Sequence, residues 1–190
     1  MDIRFEIMAT DIKKYSVGSP IQAPVEALLL LVRKHSLTAQ NVEKIAVGIP
    51  SNRVSTVNDR EMPDVNVQYL LACALIDKEL TFHAAHSYER MKDPAVLEAK
   101  KLFTLKGEPS LRTRGAIVEV TTRDGRQLRE QVMVVPGRPE KPMTREEMER
   151  KCSDLMKPVL GNDKTQKLIE TVLNLERVEN VRDLRPLPSV

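Results

Sequence analysis

His83 and His86 stand three residues apart, a spacing that puts both imidazoles on one face if the segment is helical. Two histidines without a third ligand describe a polar surface better than a metal site, so no metal is assigned. Arg53, Arg60 and Arg90 fall in loops or at element ends and can reach a substrate, but nothing ranks them above the other arginines. Just after Gly18 and Ser19 a helix begins, and its first backbone N–H groups converge there as donors for an anion. Signatures of serine hydrolases, zinc proteases, phosphate-binding loops and dinucleotide-binding turns are all missing.

The elements that must position these residues are partly legible. A helix is expected over about Pro24–His35, ending in three cationic or titratable residues that suit a helix C-terminus. Its start has two readings: an S-x-x-Q capping box from Ser19 to Gln22, or a later start near Ala23 in view of Pro24. Lys44–Ile49 reads as a strand stopped by Pro50, and residues 51–63 as a loop. Asp64 or Asn66 then caps an apolar helix, VQYLLACALID, that has no polar face and must be buried. Asp93-Pro94 opens a further helix to about Lys101, leading into a strand at residues 102–106. AIVEVTT and RQLREQVMVV alternate around Asp124-Gly125, the signature of a hairpin. Thr144 and Glu147 form a capping box ahead of a helix, and a last helix runs over about Asp163–Arg177. The order predicts an α+β fold with a mostly antiparallel four-stranded sheet covered by helices and two closing helices, as one domain of sheet and covering helices (1–143) plus closing helices (144–190).

Composition narrows the function classes. The chain of 190 residues is 41% hydrophobic and only 3% aromatic, with no tryptophan, so it can bury a core but lacks stacking platforms for single-stranded nucleic acid. Thirty Lys and Arg offset by 27 Asp and Glu are spread along the chain, so nucleic acid is not an expected partner. Cys73 and Cys152 lie far apart in apolar helical patterns, as buried reduced thiols do. With no apolar run long enough for a signal peptide or a bilayer, a cytoplasmic protein without membrane contact is expected.

Whole segments, in order, resemble the MmgE/PrpD family, the 2-methylcitrate dehydratase-like family. IKKYSVGSPIQAPVEAL resembles its lysine-plus-aromatic segment leading into a helix, and PDVNVQYLLACALIDKELTF its apolar helix with a tyrosine. RMKDPAVLEAKKLFTL, VEVTTRDGR, GRPEKPMTREEMERK and KPVLG resemble its later elements. The resemblance implies the C-terminal domain of a homodimeric lyase or isomerase that needs no cofactor. Its substrates would be small di- or tricarboxylates, dehydrated, decarboxylated or epimerised beside a carboxylate. It also implies that the family's all-helical N-terminal domain, with its general bases, is absent from this chain, so that the chain alone is inactive.

Residue by residue, the resemblance implies Lys13 and Tyr69 as catalytic residues, with Lys14 the adjacent alternative. Gly18, Ser19 and Gln22 are implied as substrate-binding. Gly18 and Gln22 stand where branches with dehydratase or decarboxylase activity place histidine, and glutamine cannot shuttle protons near neutral pH. Lys13 and Tyr69 are expected to approach one another across a carboxylate. The alternative is a truncated, inactive family member, or an interaction module that needs a helical partner chain. In either case a homo-oligomer or a helical partner domain is expected, carried by the four consecutive leucines of the first helix and by the closing helix at Leu168–Leu175.

Overall fold

A computed structural model describes residues 5–111 and 114–188. The chain divides into two compact units, Met1–Pro142 and Met143–Val190.

The first unit is built on one sheet of β1 (Val42–Ile49), β2 (Phe103–Gly107), β3 (Ala116–Thr122) and β4 (Gln127–Val132), in the order β2-β1-β3-β4. The hairpin forms as expected: β3 and β4 pair antiparallel, and Gly125 takes the left-handed φ of 86° that the tight turn needs. The sheet is mixed, however, not mostly antiparallel. β1 runs parallel to β2, with Ile45 opposite Phe103 and Ile49 opposite Gly107. Strand alternation in a sequence carries no directional information. Direction is set here by the connection between β1 and β2, a long helical crossover that returns the chain to its starting end.

That crossover holds α2 (Val54–Val57), α3 (Val67–Asp77), α4 (Phe82–His86) and α5 (Pro94–Lys100). The segment expected to be a loop, 51–63, is in fact partly helical. A 3-10 turn at Ser51–Arg53 runs into α2, and buried Val57 pins it. Asn66, not Asp64, caps α3 by accepting the Tyr69 N–H at 3.0 Å, and Asp93 caps α5 through the Ala95 N–H at 2.8 Å. α3 is buried from Val67 to Leu75, as its all-round apolar pattern requires.

Ahead of the sheet lies α1 (Gln22–His35), preceded by a 3-10 turn at Ser19–Ile21. α1 packs on β3 and β4 and against α3, while α3 reaches β2 and α5. Together they cover the sheet face formed by Ile45, Val47, Val118 and Val120, all buried. Among the described residues of the first unit, helices cover this one face. The opposite face carries Lys44, Lys106, Glu119, Thr121 and Arg129 in register, with Glu119 accepting from Lys106 at 3.0 Å. Leu28, Leu29 and Leu31 are buried in this core and only Leu30 is partly exposed. The leucine run is therefore interior and not the docking surface expected of it, because a helix between a sheet and another helix has almost no free side.

In the second unit α6 (Arg145–Leu173) begins with the capping box, Thr144 and Glu147 each bonded to the other's backbone N–H. Gly161, at φ 75°, breaks it into the two helical stretches read from the sequence. Val159, Val172 and Leu175 are exposed there. Among the described residues no helix is long and apolar enough to cross a membrane.

Leu71 has no exposed surface, whereas Leu30 is 36% exposed on α1. Leu71→Ala is expected to lower the unfolding free energy by about 2–5 kcal/mol and Leu30→Ala by less than about 1 kcal/mol, read from urea unfolding curves. Equal losses would show that α3 is not the core helix.

Candidate functional site

The segment before α1 is held down by one face of that helix. Gln22 and Glu26, one turn apart, both point at residues 14–17. The Gln22 side chain accepts the Tyr15 N–H at 3.2 Å and donates to the carbonyls of Tyr15 at 2.7 Å and Val17 at 3.3 Å, so it binds the backbone as a neighbouring strand would. Glu26 is buried. One of its oxygens accepts the Tyr15 hydroxyl at 2.6 Å and lies 3.1 Å from the Lys14 ammonium. A buried carboxylate is tolerable only with such partners. Lys14 is thus committed to Glu26, and Lys13 beside it is exposed at the rim.

Lys13, Ser19 and Gln22 line one small cavity together with Asp11, Arg114 and Arg138. It adjoins a larger cavity of about 520 Å³ that shares Asp11, Ser19, Arg114 and Arg138 and adds Pro20, Pro50, Asn52 and Arg53. Two backbone devices place these arginines. At Gly107 a Cβ would lie 2.9 Å from Ser51 Oγ, so only glycine lets the Ser51–Arg53 turn sit against the end of β2. Gly137, at φ 95°, shapes the turn closed by Gly137 N–H to the Lys141 carbonyl at 2.8 Å, and its own carbonyl takes the Ile12 N–H at 2.7 Å. That bond brings Asp11 to Arg114, at 2.8 Å, and to Arg138 Nε, at 3.6 Å.

Of the residues expected at the site, Lys13, Ser19 and Gln22 come together and two do not. The Gly18 N–H is spent on the Asp64 carbonyl at 2.9 Å and the Ile21 N–H on the Gly18 carbonyl, so few donors are left converging at the helix entry. Tyr69 does not line either cavity. It is buried, and its hydroxyl donates to the carbonyls of Ala84 at 2.5 Å and Ser87 at 3.2 Å, fastening the α4 segment to α3. Burial, then the nearby Cys73 thiol, pushes its ionisation well above the ordinary phenol value. Arg90 bridges Asp77 and Asp93, each at 2.8 Å, and Arg60 lends its carbonyl to Asn66. His86 stacks on Phe82, and its Nδ1 lies 2.9 Å from the Phe82 carbonyl. Sequence reasoning missed Asp11, Glu26, Arg114 and Arg138. Only the i,i+4 spacing of Gln22 and Glu26, two polar residues inside an apolar helix, could have flagged any of them.

Glu26→Ala is expected to cost about 1–3 kcal/mol of stability, since it removes the acceptor of the Tyr15 hydroxyl and the Lys14 ammonium, and to loosen residues 13–18 toward proteolysis. A loss below about 1 kcal/mol would show that the tie is dispensable. Tyr69 yields a pH prediction. An unfolded tyrosine ionises near about pH 10 while the folded Tyr69 keeps its proton, so folding stability falls as pH rises above that value. Ultraviolet titration of the folded protein should leave Tyr69 silent until unfolding, and Tyr69→Phe should lower the tyrosinate absorbance gained on unfolding at high pH by one tyrosine.

Comparison with known proteins agrees with the architecture. Residues 15–177 match the MmgE/PrpD C-terminal domain, a match that begins two residues after Lys13. Cis-aconitate decarboxylase of Mus musculus is 30% identical over 179 residues, covering 84% of this chain and 36% of that protein. The chain thus spans about a third of the length of the curated relative it matches. With the family match running through both compact units, this chain belongs to the MmgE/PrpD family, of which it carries the C-terminal domain.

Proposed function

We propose that this domain forms the substrate-holding wall of a lyase or isomerase acting on a small di- or tricarboxylate, with Lys13 as the cation facing one carboxylate and the Ser19 hydroxyl beside it. The observation that carries the reading is the convergence of Lys13 and Ser19 on one concave surface with Arg114 and Arg138. Dehydration, decarboxylation and epimerisation beside a carboxylate share a carbanion-like stage, and fixed positive charge at that carboxylate stabilises it. The family relation supports a lyase-like function, and the relative in mouse is by name a decarboxylase. Gln22 acts by positioning: it fixes the backbone at Tyr15 and Val17, two and four residues beyond Lys13. Tyr69, with its hydroxyl given to two carbonyls, supports the packing of α3 and α4.

No histidine lines either cavity among the described residues, and the carboxylate that does, Asp11, is ion-paired with two arginines. The proton-abstracting base of this reading therefore comes from outside the domain, and the domain alone binds without turning over. A second reading, an interaction module completed by a helical partner or a second copy, draws on the exposed Val159, Val172 and Leu175.

The purified chain should bind a dicarboxylate such as succinate in titration calorimetry and show no turnover of it or of cis-aconitate. Lys13→Met should remove a charge-assisted contact of about 1.5–3 kcal/mol, weakening binding by about tenfold or more with folding unchanged. Parent-like binding by that variant would refute the role of Lys13, and turnover abolished by a point change within the chain would refute the outside base. Sedimentation showing a strict monomer across a wide concentration range would exclude self-association as the second reading.

A further inference from the structure

The larger cavity holds more positive charge than the Lys13 reading uses. Arg53, Arg114 and Arg138 face it from three separate parts of the chain: the turn after β1, the approach to β3, and the turn closed by Gly137. Each guanidinium carries five N–H donors. Among the described residues these three side chains make a single hydrogen bond, from Arg114 to Asp11 at 2.8 Å. Arg138 Nε is buried without a hydrogen-bond partner, its nearest carboxylate oxygens being Glu140 at 3.5 Å and Asp11 at 3.6 Å. Arg53 has no carboxylate partner among the described residues.

Like charges held around one space repel, and the carboxylates near them, Asp11 at Arg114 and Arg138 and Glu140 at Arg138, leave Arg53 unanswered among the described residues. Buried donors without acceptors are costly and scarce in folded proteins. An anion in the cavity removes both costs together. Planar guanidinium forks also match carboxylates in a way that lysine does not. The volume of about 520 Å³ accommodates a small polyacid, and the shared wall of Ser19, Arg114 and Arg138 sets this space beside the smaller one at Lys13.

We infer that the Arg53–Arg114–Arg138 wall is a second anion subsite, which takes the distal carboxylates of a tricarboxylate whose first carboxylate lies at Lys13; it rests on the reading of Lys13 given above. In this arrangement Asp11 spaces Arg114 and Arg138 and keeps them from moving apart before the ligand enters. Arg53, exposed and free of ion pairs among the described residues, is the residue that distinguishes a polyacid from a monoacid.

The test is titration calorimetry on the 190-residue protein with tricarballylate, acetate and inorganic phosphate, at low and at physiological salt. Tricarballylate should bind, more weakly as salt rises, and Arg53→Ala should reduce its affinity by about tenfold or more while leaving acetate unchanged. Arg53→Lys, which keeps the charge but loses the fork, should fall between the two. The subsite is refuted if tricarballylate does not bind the parent, or binds Arg53→Ala as it binds the parent. Phosphate binding as tight as that of tricarballylate, and equally dependent on Arg53, would overturn the carboxylate assignment. Lys13→Met separates the two readings. Weakening by that variant alone leaves the Lys13 site and removes the arginine subsite; weakening by Arg53→Ala alone keeps the arginine subsite and removes the Lys13 role.

Discussion

Glu26, a carboxylate buried inside an apolar helix, is the constraint on which the arrangement of the site depends. An apolar side chain there would be buried without needing a partner. Instead the Glu26 carboxylate receives the Tyr15 hydroxyl and the Lys14 ammonium, while Gln22 one turn earlier holds the backbone of Tyr15 and Val17. Two polar side chains on one face of α1 thus convert an otherwise extended segment into a fixed part of the domain. Lys13 and Ser19 owe their places to that tie.

The tie works because the helix under it cannot shift. α1 lies on β3 and β4 and against α3, with Leu28, Leu29 and Leu31 buried between them. Interiors are packed closely enough that a helix on such a bed has one position. The stiffness of the core is passed through Gln22 and Glu26 to a surface segment that has little core of its own, residues 5–14 being exposed apart from the partly buried Lys14. The other wall is fixed by backbone geometry, through the close approach at Gly107 and the left-handed turn at Gly137. Side-chain hydrogen bonding on one side and glycine conformation on the other bring cations from distant parts of the chain to one cavity.

Charge is the common property of the surface so formed. A chain with only three more basic than acidic residues carries no marked field overall. Its basic residues are nevertheless gathered unevenly, with Lys13, Arg53, Arg114 and Arg138 around two adjoining cavities whose lining includes the carboxylate of Asp11. Elsewhere arginines are neutralised locally, as Arg90 is by Asp77 and Asp93. The contrast separates arginines that hold the fold from those that face a space.

The elements whose signals are local were legible in the residues alone. The hairpin at Asp124-Gly125, the buried α3, the Asp93-Pro94 start of α5 and the Thr144–Glu147 box each depend on residues within one turn or one period of each other. The sequence also carried the family, through short segments in a fixed order, and with it Lys13, Ser19 and Gln22, which do share a wall. Everything that depends on distance between remote segments was fixed by the folded chain. The parallel pairing of β1 with β2 follows from a crossover of some fifty residues, the interior fate of the leucine run from what packs on both its sides, and the separate position of Tyr69 from the carbonyls of Ala84 and Ser87. Asp11, Arg53, Arg114 and Arg138 have no spacing that relates them. Their meeting is a matter of electrostatics at a few ångströms between residues up to about 130 positions apart, which no periodicity can encode.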